Sequence, residues 1–227
     1  MVELQLREKE IFETLKKIKK FDFVVIGGYA VNAYTLPRFS ADCDIVVKDE
    51  AELGKIKKEL EKSGYKEVKA NEELLYHGNF KRFEKEIQLN FSVSIDILIQ
   101  EVLDRQTNSS FLADWIFENS KLRNLRGKTI NEELKLRIIN PEALFVMKML
   151  SCRQTDIRDI FLLATEIKNN EWVKKEVESR YSFKDRIKKI KKEINSNQFK
   201  DGLQGVFGII DKKIFERNIK LISNLDK

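Results

Sequence analysis

Two aspartates one residue apart follow a pair of glycines, and this order of residue types is suited to phosphate chemistry. Gly27 and Gly28 end an apolar run, and Asp42 and Asp44 lead directly into a second apolar run. Glycines after a strand allow a tight turn and a close approach of the backbone to a ligand, because no Cβ is present. A helix that begins near Tyr29 would aim its free N–H groups and its positive dipole end at a phosphate. The segment therefore predicts a phosphate-binding turn followed by a carboxylate pair.

The two carboxylates of this pair are predicted to point the same way. Successive side chains of a strand alternate between its faces, so Asp42 and Asp44 share one face, about 7 Å apart along the chain, while Cys43 and Ile45 face the core. Mg²⁺ prefers oxygen ligands and typically takes one or two carboxylates, with water and substrate phosphates completing its shell. A glycine turn beside such a metal site is typical of phosphoryl or nucleotidyl transfer.

A third aspartate lies inside an apolar run that is predicted to be a strand. Asp96 interrupts the run SVSIDILIQ, and an ionisable group inside a strand is costly to bury unless it is paired or binds a metal. Taken alone, Asp96 could equally be a solvent-facing residue at a strand end. Beside Asp42 and Asp44 it favours a site for two Mg²⁺ ions, with Mn²⁺ as a substitute, in which Asp96 also accepts the proton of an attacking hydroxyl.

These residues, together with a later segment, resemble the polymerase-β-like nucleotidyltransferase superfamily. Within that superfamily the chain is most similar to the small enzymes grouped with the abortive-infection, type IV toxin-like nucleotidyltransferases. The likeness covers roughly residues 20 to 165 of the sequence. It rests on Gly27-Gly28-Tyr29-Ala30-Val31, on Arg38-x-Ser40-x-Asp42-x-Asp44, on Asp96 within SIDIL, and on Lys148 followed by Arg153-x-x-Asp156-x-x-Asp159.

The resemblance implies an α/β (α+β) fold, with a mixed β-sheet flanked by helices and a helical C-terminal domain. It implies an enzyme that moves a nucleoside monophosphate from an NTP such as ATP to a hydroxyl. The acceptor it suggests first is RNA, at the tRNA 3′ end, modified by a toxin that an antitoxin protein would neutralise. It implies that Asp42, Asp44 and Asp96 bind the metal, and that the nucleotide is contacted by Gly27, Gly28, Tyr29, Arg38, Ser40, Lys148, Asp156 and Asp159.

Three other functions are compatible with the sequence. Many members of the superfamily have a serine, which helps to hold a triphosphate, where this chain has Tyr29. Bulky aromatic residues at this place occur among antibiotic-modifying relatives, which favours adenylylation of an aminoglycoside or a lincosamide. An enzyme that modifies protein side chains is the second alternative. A catalytically silent nucleotide- or RNA-binding module is the third, because the serine is missing.

Length and composition predict a cytoplasmic protein with two domains. The 227 residues can hold a catalytic α/β domain, predicted over residues 1–139, and a helical domain over residues 140–227. Two cysteines indicate free thiols in a reducing cytosol. No run approaches the ~20 apolar residues that span a bilayer, and the charged N-terminus is unlike a secretory signal. The single histidine, His77, is left out of the catalytic set.

The last sixty or so residues are predicted to be mostly helical and basic. The segment Lys184 to Ile194 combines an isoleucine stripe with a lysine-rich face. That face could bind an RNA backbone, or it could be a solvated surface balanced by nearby glutamates. The net charge of +6 gives a modest bias towards polyanions. Glycines at 202, 205 and 208 predict a loop or a helix break before a last helix over Lys212 to Asn224.

Overall fold

The computed structural model describes residues 2–68, 79–208 and 210–226, so His77 lies outside the described residues. The chain divides into two compact units. The first unit contains Met1–Ala33, Phe39–Leu103 and Ser110–Ile139, and the second contains Tyr34–Arg38, Asp104–Ser109 and Asn140–Lys227. No helix within the described ranges is long and apolar enough to cross a membrane.

The chain up to Ile139 contains nine strands and four helices among the described residues. Its elements are α1 (Val2–Ile18), β1 (Val24–Val25), α2 (Gly27–Asn32), β2 (Asp42–Val47), α3 (Glu50–Lys62), β3 (Lys66–Val68), β4 (Phe80–Gln88), β5 (Phe91–Ile99), β6 (Glu101–Asp104), β7 (Ser109–Leu112), α4 (Ala113–Glu118), β8 (Ser120–Leu125) and β9 (Leu134–Ile139). Among the described residues, seven strands form one sheet in the order β3-β4-β5-β2-β1-β9-β8. Strands β6 and β7 form a separate ribbon.

The large sheet is mixed. Strand β2 runs parallel to β5 and antiparallel to β1, while β1 runs parallel to β9. The outer pairs β4–β5 and β8–β9 are antiparallel. The predicted α/β fold with a mixed sheet flanked by helices is therefore confirmed.

Apolar periodicity explains why the flanking helices form and which face they bury. Helix α1 buries Ile11, Leu15 and Ile18, and α3 buries Leu53, Ile56 and Leu60. These positions recur at helical spacing and form one apolar stripe on each helix. In β2 the alternation places Cys43 and Ile45 in the core, with both side chains fully buried.

Helix α2 begins two residues before the predicted start near Tyr29. It begins at Gly27, with Ile26 as an extended N-cap residue, and ends at Asn32. The residue before a proline avoids the α conformation, so Pro37 excludes Leu36 from the helix.

The second unit contains a run of helices. They are α5 (Pro141–Ser151), α6 (Gln154–Leu163), α7 (Asn170–Glu178), α8 (Phe183–Ile194), α9 (Asn197–Phe207) and α10 (Lys212–Ser223). The predicted start of α5 is observed: Asn140 Oδ1 accepts a hydrogen bond from the Ala143 amide at 2.8 Å, and Pro141 is the first helical residue. In α8 the isoleucine stripe Ile187, Ile190 and Ile194 is buried, as expected.

The prediction of a loop or break at the glycines before the last helix is wrong for two of the three. Helix α9 runs through Gly202 and Gly205. Ser196 caps its N-terminus by accepting a hydrogen bond from the Phe199 amide at 3.0 Å, and Phe199 and Leu203 are buried. Capping and burial thus outweigh the cost of about 1 kcal/mol for each glycine in a helix.

Candidate functional site

The three predicted acids of the first unit lie on two neighbouring strands. Strand β2 pairs with β5 in parallel, so that Asp42 lies opposite Ser94 and Asp44 lies opposite Asp96. Because β4 is antiparallel to β5, Arg82 is the partner of Asp96 on the other side. Residues that are directly opposite in a sheet share a face, so the three acids and Arg82 occupy one face.

Arg82 binds Asp96 through two hydrogen bonds. Its Nε donates to Oδ1 of Asp96 at 2.8 Å and its Nη2 donates to Oδ2 at 2.6 Å. The same Nη2 lies 3.6 Å from Oδ2 of Asp42. Asp96 is only 4% exposed. Burial raises the pKa of Asp96, and the opposing effect of Arg82 offsets this only in part.

Arg82 contacts one of the three predicted metal ligands and lies close to a second. Within residues 2–68, 79–208 and 210–226, no three His, Cys, Asp or Glu side chains stand close enough together to bind a metal ion. Arg82 is instead the cation that contacts Asp96 and approaches Asp42. The donor chemistry still fits, because carboxylate oxygens are the hard ligands that Mg²⁺ prefers. The assignment of Asp42, Asp44 and Asp96 to a metal therefore stays a prediction.

Gly27 marks a close approach between the glycine turn and Asp44. Its φ is +64°, in the left-handed region. A Cβ placed on Gly27 would overlap Oδ2 of Asp44 and lie 2.9 Å from its Cγ. The Ile26 amide also donates to the Asp44 carbonyl oxygen at 3.0 Å. The turn and the acid are thus in direct contact, and this contact requires a glycine.

We expect Gly27→Ala to lower the free energy of unfolding by about 2 kcal/mol, because a left-handed alanine is strained and its Cβ must displace the Asp44 carboxylate. Urea denaturation measures this change. The matched control is Gly54→Ala in α3, where a Cβ would meet nothing within 4 Å and alanine is the better helix former. Equal stability of the two variants would show that the contact with Asp44 is not tight.

Tyr29 stands where many members of the superfamily that the sequence resembles have a serine, and its side chain points into the core. The Tyr29 side chain is 1% exposed and packs edge-on against Phe12, with the ring centroids 6.5 Å apart. Burial raises the pKa of the Tyr29 hydroxyl well above its ordinary value. No side chain caps the N-terminus of α2, where Gly27 and Gly28 precede Tyr29. At this turn the tyrosine ring is therefore turned away from solvent, while Gly27 is partly exposed. Ser40 is partly buried in the loop before β2.

Four of the predicted nucleotide-binding residues form a buried charge network in the second unit. Arg38 donates from Nε and Nη2 to Oδ1 and Oδ2 of Asp159, at 2.9 and 2.8 Å. Lys148 Nζ lies 2.8 Å from Oδ1 of Asp156 and 2.9 Å from Oδ2 of Asp159. Both carboxylates are fully buried. The structure thus brings these four residues together as two acids that hold two cations.

The charges of this network persist at neutral pH. Burial raises the pKa of Asp156, but Lys148 and Arg153 outweigh it and lower the pKa to about 2. Burial lowers the pKa of Lys148, but Asp159 and Asp156 outweigh it, so that the pKa is raised. The hydrogen bond that Lys148 donates to Asp156 orients the ammonium group of Lys148. Direct contact of Lys148 with a phosphate stays a prediction.

Comparisons with known proteins find relatives by structure alone. No family model and no curated protein matches the chain. The structure of ANT(2″)-Ia in complex with adenylyl-2″-tobramycin matches with a TM-score of 0.51 and 16% identity, over 80% of this chain and 100% of that one. JHP933 from Helicobacter pylori matches with a TM-score of 0.50 and 16% identity, over 98% and 89%. The lincomycin-bound lincosamide antibiotic adenylyltransferase LnuA has a TM-score of 0.45 and 20% identity, over 70% and 97%.

These comparisons concern architecture. The chain has a mixed α/β fold like that of nucleotidyltransferases, as the sequence predicted. At this level of identity a shared fold does not define the acceptor, since function depends on the site that the fold carries.

Proposed function

We propose that this protein is a metal-dependent nucleotidyltransferase. It would transfer a nucleoside monophosphate from an NTP to an acceptor hydroxyl, with pyrophosphate as the leaving group. The observation that carries the proposal is the placement of Asp44, which is in register with Asp96 on the adjacent parallel strand and in contact with the Gly27 turn. Nucleotidyl transfer requires a site for the phosphates and a site for a cation. A glycine turn suits the first and paired carboxylates suit the second.

Each residue of the first unit has a proposed role. Asp42, Asp44 and Asp96 would hold two Mg²⁺ ions, which would neutralise charge on the triphosphate when bound. The main chain at Gly27 and Gly28 would face the phosphates. Asp96 is proposed to accept the proton of the acceptor hydroxyl, and burial raises its pKa, which favours a general base.

The buried network of the second unit fixes the positions of its own cations. Asp159 holds Arg38 and Lys148 in defined positions, and preorganised cations stabilise developing negative charge better than mobile ones. Nucleotide contacts by Arg38, Ser40, Lys148, Asp156 and Asp159 are part of the proposal.

The distribution of charge favours RNA as the acceptor. Residues 1–139 carry 24 Lys and Arg and 24 Asp and Glu, whereas Asn140–Lys227 carries 19 and 13, so the whole net charge of +6 lies in the second segment. Helix α8 exposes a lysine cluster that forms no ion pair with any described residue, and its members are Lys184, Lys188, Lys189 and Lys192. A row of unpaired lysines suits a phosphate backbone. We therefore propose transfer to an RNA 3′ hydroxyl, of tRNA first, by a toxin-type enzyme with an antitoxin partner.

The acceptor can be tested directly. The protein would be incubated with Mg²⁺ and each α-labelled NTP in turn, together with total cellular RNA, an aminoglycoside, a lincosamide or a protein extract. We expect label at RNA 3′ ends. Label on a drug or on a polypeptide would keep the chemistry and replace the acceptor. Bound nucleotide without any transfer would support a silent binding module.

Tyr29 is the residue that favoured an antibiotic as the acceptor in the sequence analysis, and its side chain is buried.

Neutralising the lysine cluster of α8 should weaken RNA binding. Converting its four lysines to glutamine is expected to make the dependence of log K on log salt concentration shallower by up to about 3, because each phosphate contact contributes about 0.7 on single strands. Titrations at several salt concentrations measure this slope. The matched control converts four exposed lysines of the first unit to glutamine, namely Lys9, Lys19, Lys121 and Lys135. An equal effect of both variants would assign the binding to net charge rather than to α8.

A further inference from the structure

Arg158 of α6 has a buried nitrogen without a hydrogen-bond acceptor. Its Nε is inaccessible to solvent and has no partner among the described residues, while the side chain as a whole is partly exposed. A buried donor without an acceptor is costly, and more so when it belongs to a charged group. Because the side chain is partly exposed, an anion that approaches from solvent can offset the charge of its guanidinium.

The neighbouring acids are already engaged by other groups. Asp159 accepts two hydrogen bonds from Arg38, and its Oδ2 also pairs with Lys148. Asp156 accepts hydrogen bonds from Lys148 on Oδ1 and from Arg153 on Oδ2. All four carboxylate oxygens are therefore occupied, and each pairs with a cation other than Arg158.

The cluster carries more positive than negative charge. Burial lowers the pKa of Arg158, and the nearby charge of Arg38 lowers it further, against a smaller opposing effect of Asp159. Two carboxylates thus face four cations, and the members of this cluster are Asp156, Asp159, Arg38, Lys148, Arg153 and Arg158. A concentration of like charge that is open to solvent on one side attracts an anion.

We propose that Arg158 binds a phosphate group in the second unit, with the buried charge of Arg38 reinforcing the attraction. A guanidinium offers several N–H donors in a planar fork that matches phosphate oxygens. The phosphate belongs either to an NTP or to an RNA backbone. The identity of the biological ligand, NTP or RNA, rests on the proposed function. The phosphate site itself does not depend on catalysis.

Binding measurements without metal separate this site from the reaction. Calorimetry with the full chain in EDTA would use inorganic pyrophosphate, ATP and a short unstructured RNA as probes. Arg158→Gln is expected to weaken the binding of at least one probe by about 10- to 100-fold, the effect of one charge-assisted hydrogen bond. Arg217→Gln, which removes an exposed arginine of α10, serves as the matched control and should leave binding unchanged.

The pattern across probes identifies the source of the phosphate. Loss for ATP and pyrophosphate alone assigns the site to a nucleotide, and loss for RNA alone assigns it to a nucleic-acid backbone. Thermal unfolding in phosphate-free buffer checks the fold, and Arg158→Gln should be as stable as the wild type or more so, since the substitution removes an uncompensated charge. Unchanged affinity for every probe overturns the proposal, as does binding that Arg217→Gln weakens equally. Absence of nucleotidyl transfer, with the Arg158 effect retained, would refute only the proposed function.

Discussion

Converting Asp42 or Asp44 to asparagine should lower the rate of nucleotidyl transfer by about 10²- to 10³-fold, which is the scale of losing one electrostatic contact to the reacting groups. Asparagine keeps the size of the side chain but removes the charge that would hold a cation. Both aspartates are partly exposed, so the free energy of unfolding should change by less than about 0.5 kcal/mol.

Single-turnover transfer from an α-labelled NTP, measured beside urea denaturation, tests this expectation. Asp201→Asn is the matched control, because Asp201 is exposed in α9. Loss of activity together with loss of stability would point to a structural role for the pair. Full activity in both single variants would remove Asp42 and Asp44 from the reaction.

Replacing Asp159 by alanine should destabilise the second unit by about 3–5 kcal/mol, the typical cost of breaking a buried ion pair from one side. The change removes the two hydrogen bonds that the guanidinium of Arg38 donates to Asp159, and it removes one of the two acids that hold Lys148. Both cations are about nine-tenths buried, so water cannot replace the lost carboxylate. Urea denaturation measures the effect, and Asp201→Ala controls for loss of an exposed acid. A change below about 1 kcal/mol would mean that Arg38 and Lys148 find other partners.

The buried network around Asp156 and Asp159 makes the stability of the folded state depend on pH. The pKa values of Asp156 and Asp159 are lowered on folding, that of Asp156 to about 2. Groups of this kind stabilise the folded state above their ordinary pKa and lose that contribution as the pH falls through the folded pKa. The wild type should therefore lose stability between about pH 4 and pH 2. Asp159→Ala should lose less over this window, since one of the two groups is gone.

Features that depend on short stretches of sequence could be predicted. The alternation along β2 requires only neighbouring residues, and it places Cys43 in the core and Asp42 and Asp44 on the other face. The start of α5 follows from the local chemistry of Asn140 and Pro141. For the same reason the buried stripe of α8 was visible in the isoleucine spacing.

Partners that meet through tertiary pairing could not be predicted. Arg82 reaches Asp96 only because the β4–β5 hairpin turns at Asn90, with φ at +63°, and pairs the two positions despite an irregularity between Glu86 and Gln88. No local pattern of the sequence links Arg82 to Asp96. Counting residues outward from the turn at Asn90 places Arg82 opposite Asp96 only when the register of the hairpin is known.

The network around Asp159 shows the same limit more strongly. Arg38 and Asp159 are 121 residues apart, and no local pattern links them. The sequence suggested that Arg38 and Lys148 lie beside phosphates, whereas the structure shows both bound to buried acids. The buried nitrogen of Arg158 that lacks an acceptor depends on tertiary packing, which no local pattern of the sequence shows.

The proposed reaction breaks one bond of the NTP, the bond between the α-phosphorus and the oxygen that links it to the β-phosphorus. Parallel incubations with α-labelled and γ-labelled NTP, Mg²⁺ and cellular RNA test it most directly. The proposed function predicts that label from the α position becomes attached to RNA, that label from the γ position leaves as pyrophosphate, and that Asp42→Asn/Asp44→Asn abolishes both. Attachment of the γ label, or α-label transfer that persists in the double variant, would contradict it.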